Sequence, residues 1–141
     1  MRSQLMPFLG CKYRFSGTVK RFGMKNMPYS GRAPTLMLKG LVLHTSIEVP
    51  VDHAWATVGK RLADFNPRIG DVVSFNAWVR EYHKFDRNQD DWKLDYCINR
   101  LSGLELLEAG DGETFTAFWG RVLNSGMFVT RAFDQHVAVS I

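Results

Sequence analysis

The sequence predicts an all-β fold with one helix inserted among the strands, and three observations carry that expectation. Apolar and polar residues alternate with period two over residues 12–22 and again over 72–82, the pattern of a strand with one buried face. Over residues 52–65 the period lengthens, and Trp55, Val58, Leu62 and Phe65 recur at helical spacing. Ten Phe and four Trp raise the aromatic share of the 141 residues to 13%, and aromatic side chains suit a pleated, half-buried surface.

The elements follow in order. Residues 12–22 form the first strand, with Tyr13, Phe15, Gly17 and Val19 on one face and Arg14, Ser16, Thr18 and Lys20 on the other. Residues 23–34 (GMKNMPYSGRAP) are rich in turn formers and predict a long loop. Residues 35–44 are apolar on both faces and predict a strand bent or bulged at Gly40. A short third strand is expected over 47–51. Asp52 is the expected N-cap of the helix, which Asn66-Pro67 stops.

Gly70-Asp71 then turns into the fourth strand. Val73, Phe75, Ala77 and Val79 face one way there, and Ser74, Asn76, Trp78, Arg80 and Tyr82 the other. A polar loop over 83–91 leads to a fifth strand over 92–99, with Trp92, Leu94, Tyr96 and Ile98 on one side. Residues 103–114 are acidic and contain Gly, as a connector does. Residues 115–123 and 127–133 predict a hairpin around Asn124-Ser125-Gly126, and 137–141 one last strand. The expected organisation is a main unit over 1–102, with a short N-terminal extension, and a C-terminal extension over 103–141 packed on it or on a partner.

Length and composition fit one domain with one core. No apolar run is long enough to span a bilayer, and the N-terminus has neither a proper apolar region nor a small-residue cleavage site, so a cytoplasmic location is expected. Cys11 and Cys97 belong to no ligand cluster, and free thiols are the default for such a chain.

Charge is unevenly placed. The first 47 residues carry eight Lys or Arg and no carboxylate, and the first acidic residue is Glu48. The formal net charge of +4 is therefore +8 in the N-terminal third and −4 elsewhere. A positive end of this kind attracts a polyanion, although Lys and Arg can equally serve to solvate the outside of strands.

Three strands, a helix and two strands is the element order of an OB-fold, a five-stranded Greek-key barrel. The opening FSGTVKRFG, the segment after VDHAW, and GDVVSFNAWVREY followed by DWKLDY resemble small OB-like nucleic-acid-binding proteins of bacteria, phages and mobile elements. The residues that match are Asp52, His53, Trp55, Gly70, Asp71, Val73, Phe75, Ala77, Val79 and Tyr82. The resemblance covers residues 12–101 and implies an OB-like barrel with the C-terminal hairpin as an addition. It also implies a groove on strands two and three, bounded by the first-second and fourth-fifth loops.

Single-stranded nucleic acid needs cations along its phosphates and flat rings under its bases. The residues expected to supply them are Lys20, Lys25, Tyr29, Arg32, Lys39, Trp78, Arg80, Tyr82 and Lys84. Phe85, Arg87, Trp92 and Lys93 stand nearby in sequence, but Asp86, Asp90 and Asp91 offset the charge of that loop. Trp78 and Tyr82 have an alternative use, packing beneath the C-terminal hairpin.

Catalysis is not expected. His44, His53, His83 and His136 lack metal-ligand spacing, and no nucleophile motif accompanies Asp52-His53. Neither a cofactor nor a metal is expected, the acids at 86, 90, 91 and 95 serving to solubilise a loop. The functional expectation is a non-catalytic module for single-stranded nucleic acid. The alternative is a protein-interaction or oligomerisation module built on the same face, including an inhibitor carried by a mobile element.

Overall fold

The computed structural model describes residues 3–27 and 31–126. Five antiparallel strands form one sheet in the order β3-β2-β1-β4-β5. They are β1 (Lys12–Met27), β2 (Gly31–His44), β3 (Glu48–Thr57), β4 (Val72–Asp86) and β5 (Asp91–Glu108). A short helix, α1 (Lys60–Phe65), joins β3 to β4, and a second, α2 (Phe115–Asn124), follows β5. A 3-10 turn over Ser3–Phe8 precedes the sheet and buries Leu5. No helix among the described residues is long and apolar enough to cross a membrane.

The alternation that predicts β1 and β4 is realised. Phe15 and Val19 are buried, as are Val73, Phe75, Ala77 and Val79, and Phe15 stacks on Phe75 with ring centroids 5.8 Å apart. The same core takes in Leu36, Leu38, Leu41 and Leu43 of β2, Ala54 and Ala56 of β3, and Tyr96 and Ile98 of β5.

Bulges curl the sheet. Register shifts occur twice between β1 and β2, twice between β2 and β3, and three times between β4 and β5. Each bulge bends its strand and tightens the local twist. Gly40, with φ of 61°, supplies the bend expected in β2, and Asp52 (φ 76°), Arg100 (φ 55°) and Gly103 (φ 57°) occupy the same left-handed region. The edge strands β3 and β5 consequently approach each other, yet no ladder joins them among the described residues, and the sheet stays open.

Four expectations are corrected. Residues 23–34 are not a long loop: β1 runs to Met27 and β2 begins at Gly31. Gly23 pairs with Thr35 in the β1–β2 ladder and lies under the Trp55 ring, where an added Cβ would stand 3.2 Å from it. The helix does not begin after Asp52. Residues 53–57 continue β3 against β2, from Lys39↔His53 to Thr35↔Thr57, and ladder pairing outweighs the helical spacing of Trp55 and Val58. The loop over 83–91 shrinks to 87–90, because β4 and β5 pair out to Asp86↔Asp91, and β5 runs on to Glu108, into the expected connector.

The fourth correction concerns the C-terminal hairpin. Its first strand is the helix α2, in which Phe115, Trp119 and Val122 fall on one buried face. Thr114 caps it by accepting from the Ala117 N–H, and Phe22 of β1 receives Phe115 and Phe118 at 5.7 and 5.2 Å. Spacing of three and four residues puts those rings on one stripe, and that outweighs the strand preference of aromatic residues. The expected strands at 127–133 and 137–141 lie outside the described residues.

The two helices are tied through polar groups. Asn66, left-handed at φ 53°, ends α1, and its side-chain oxygen accepts from both the N–H and the hydroxyl of Thr116. Asp71 is buried and accepts from the N–H groups of Arg68 and Gly110. Beyond the cap, Arg121 grips Glu113 with two hydrogen bonds of 2.8 and 2.7 Å.

Those bonds hold the Glu113 carboxyl below its ordinary value of 4.5, against a weaker opposing push from partial burial. A depressed folded-state value gives stability that is present above pH 4.5 and lost as pH falls through the lowered value. The pair is solvated, so the expected effect is small. Thermal melts should show Glu113→Gln below the wild type at pH 7, with the gap closing below pH 4.5. A gap that did not narrow as pH falls from 4.5 towards the acid limit of the folded state would disprove the charge effect.

Candidate functional site

The approach of β3 to β5 leaves a cleft of about 390 Å³ at the open seam. Lys25 comes from the far end of β1 and Thr35 from β2; Trp55, Ala56 and Thr57 come from β3. Tyr82 belongs to β4, and Cys97, Ile98 and Asn99 to β5. Residues up to 74 positions apart therefore share one wall, a consequence of sheet curvature rather than of sequence proximity.

Trp55 is the largest ring in the cleft. It sits on the outer parity of β3, between the buried Ala54 and Ala56, and lies against Gly23 and Thr35. The Arg21 guanidinium stands 5.3 Å from its ring centroid, within range of a cation-π contact. Tyr82 is held from behind, its hydroxyl donating to Asp95 Oδ2 at 3.1 Å. Lys25 is exposed, and no carboxylate lines the cleft among the described residues. Two flat rings, a cation and a neighbouring guanidinium therefore surround one depression. Asn99 Oδ1 is buried without a hydrogen-bond partner among the described residues.

Of the nine residues expected from sequence, the structure brings Lys25 and Tyr82 into this cleft. Arg32 sits near the end of the β1–β2 hairpin, where its Nε donates to Asn26 at 3.1 Å. Trp78 and Arg80 face Asn99 and Cys97 in register but do not line the cleft; the Arg80 guanidinium covers the Trp78 ring at 5.0 Å. Lys20 lies in the second β1 bulge and Lys39 pairs with Thr18 and His53, so both are exposed outside the cleft. Lys84 belongs to β4 opposite Lys93, and Tyr29 lies outside the described residues.

Helix α2 docks on Phe22 and contributes nothing to the cleft lining; the segment from 127 onward, the remainder of the hairpin expected over Trp78 and Tyr82, lies outside the described residues. Sequence reasoning misses Trp55 as a site residue by placing it on a helix. The signal that finds it is the alternation of the small residues Ala54, Ala56 and Val58, which marks Trp55 as outward on a strand.

At the tip of the β4–β5 hairpin, Phe85 and Trp92 form an exposed pair with centroids 5.2 Å apart, and Trp92 is 64% accessible. Away from the cleft, His53 Nδ1 and Asp52 Oδ2 are 2.9 Å apart on the surface. Among the described residues no group of three His, Cys, Asp or Glu is placed to hold a metal ion. No protein-family model matches the chain, and no curated protein is significantly similar to it.

Proposed function

We propose that the protein is a non-catalytic module that binds single-stranded nucleic acid, built on an OB-like barrel whose seam between β3 and β5 is the binding cleft. The observation that carries this reading is the convergence of Lys25, Trp55 and Tyr82 from three strands on one cleft with no carboxylate among its described lining residues. Bases stack on aromatic faces at about 1–3 kcal/mol each, and every base has such a face, so two rings give affinity without strict sequence preference. Lys25 in the cleft and Arg21 over Trp55 supply positive charge beside them, within the cation-rich first third of the chain. The strand order β3-β2-β1-β4-β5, with a helix between β3 and β4, supports the OB-like reading.

A labelled twelve-nucleotide single strand titrated at two salt concentrations tests the proposal. The cleft cations Lys25 and Arg21 should contribute roughly 1.4 to the slope of log Kd against log salt, about 0.7 for each phosphate neutralised. Trp55→Ala should weaken binding about 5- to 150-fold, the equivalent of one lost stacking contact. Lys25→Gln should weaken it less and lower the salt slope by about 0.7. Absence of binding by the wild type at low salt would refute the assignment.

A second reading, a protein-interaction or oligomerisation module, is favoured by one observation. Strand β5 is an open sheet edge that carries the exposed Leu106 and Leu107. Light scattering distinguishes the two: a defined oligomer that Leu106→Lys dissolves supports the interaction module.

A further inference from the structure

A second depression, of about 290 Å³, adjoins the cleft at the seam. It is lined by Thr57, Gly59, Lys60, Arg61, Leu62, Arg100 and Leu101. Thr57 belongs to both depressions, and Arg100 directly follows the cleft residue Asn99, so the two are continuous along β3 and β5. Among its described lining residues three are cations and none is acidic. Lys60 is engaged by Asp64 at 2.7 Å, whereas no ion pair to Arg61 or Arg100 occurs among the described residues.

The backbone is shaped for this placement. Trp78 pairs with Asn99 and Asn76 with Ser102, so Arg100 and Leu101 are two residues of β5 opposite one of β4, a β-bulge. Arg100 holds φ of 55°, a conformation uncommon for a residue that is not Gly, Asn or Asp. Bulges re-aim side chains, and strained backbone clusters at binding sites. Here the bulge turns β5 so that Arg100 shares a depression with Arg61 of α1.

We infer that Arg61 and Arg100 form a phosphate subsite that takes the backbone of the single strand as it leaves the aromatic cleft. Guanidinium groups suit this role because they donate several hydrogen bonds in a planar fork that matches phosphate oxygens. The ligand is an internucleotide phosphate, two or more nucleotides from the stacked bases. The inference rests on the nucleic-acid reading and adds to it a direction and a minimum length for the bound strand.

The test uses the full chain, oligothymidylates of 4 and 12 nucleotides, and the double variant Arg61→Gln/Arg100→Asn. Asn tolerates the left-handed conformation at position 100, and circular dichroism checks folding. The wild type should bind the longer strand more tightly than the shorter. The variant should lose most of that gain, bind the 4-mer as the wild type does, and show a salt slope lower by roughly 1.4. Arg61→Gln alone should give about half the change. Lys20→Gln/Lys39→Gln removes the same charge from outside both depressions and should leave the length dependence intact.

An unchanged length dependence in the Arg variant would overturn the subsite while leaving cleft binding in place. An equal loss in the Lys control would also overturn it, showing a diffuse field rather than a local contact. Failure of the wild type to bind either strand would remove the subsite together with the nucleic-acid reading.

Discussion

Trp119→Ala is expected to lower the stability of the protein by about 3–5 kcal/mol, the usual loss when a large buried aromatic is truncated. Trp119 is 1% exposed and stacks on Phe115, with centroids 6.2 Å apart and planes 15° from parallel. Phe115 in turn meets Phe22 of β1, so the ring links α2 to the sheet. Native domains have only about 5–15 kcal/mol in total, and the variant should unfold at much lower denaturant. Equilibrium urea unfolding measures this. A loss below 1 kcal/mol would show that α2 is not part of the cooperative core. Trp119→Phe should retain more than half of the difference, because it keeps the stacked ring and removes only part of the volume.

Gly110→Ala is the second large effect, and its cause is backbone contact. A Cβ at position 110 would stand 2.3 Å from the Gly70 carbonyl carbon and 2.5 Å from the Asp71 nitrogen. Neither atom can rotate away as a side chain could. The segment after β5 must shift, which breaks the 2.7 Å bond from the Gly110 N–H to buried Asp71 and strains the neighbouring Gly112 N–H to Ile69 carbonyl bond. Asp71 Oδ1 then loses its donor while Oδ2 keeps the Arg68 N–H; a buried acceptor without a partner costs about 1–3 kcal/mol, and the displaced backbone adds to it. A total of at least about 3 kcal/mol is expected, together with exposure of the α2 docking face to a hydrophobic dye. Gly59→Ala is the control. Nothing lies within 4 Å of its added Cβ, and the change should cost under about 1 kcal/mol. Equal effects at the two positions would disprove the steric account.

The two strands most legible in the sequence were those with a strict two-residue period and one buried face. Phe15 and Val19 in β1, and Val73 to Val79 in β4, alternate because each strand has core on one side and polar groups on the other. The bend at Gly40 was legible for a similar reason, since Gly within an apolar strand marks a bulge. Residues 52–57 and 115–124 were not. Trp55 and Val58 mimic a helical stripe, but β2 offered a complete ladder, and hydrogen-bonded pairing decided the conformation. At α2 the reverse held: strand-favouring aromatics lie at helical spacing, and docking on Phe22 selects the helix.

For the candidate site, Lys25 and Tyr82 were legible because their residue types suit a charged, stacking surface. Trp55, Arg61 and Arg100 were not, because their value depends on which strands meet.

The β-rich class, the faces of β1 and β4, and the concentration of positive charge in the first 47 residues are all readable from the order of residues along the chain. These are local properties, set by side-chain alternation and composition. That β3 and β5 come together, and that Lys25, Trp55 and Tyr82 meet there with Arg61 and Arg100 in the adjoining depression, follows from the three-dimensional fold alone. The physical reason is curvature. Several bulges, each a small local bend, add up over five strands to bring opposite edges of one sheet into contact, and no single segment encodes that sum.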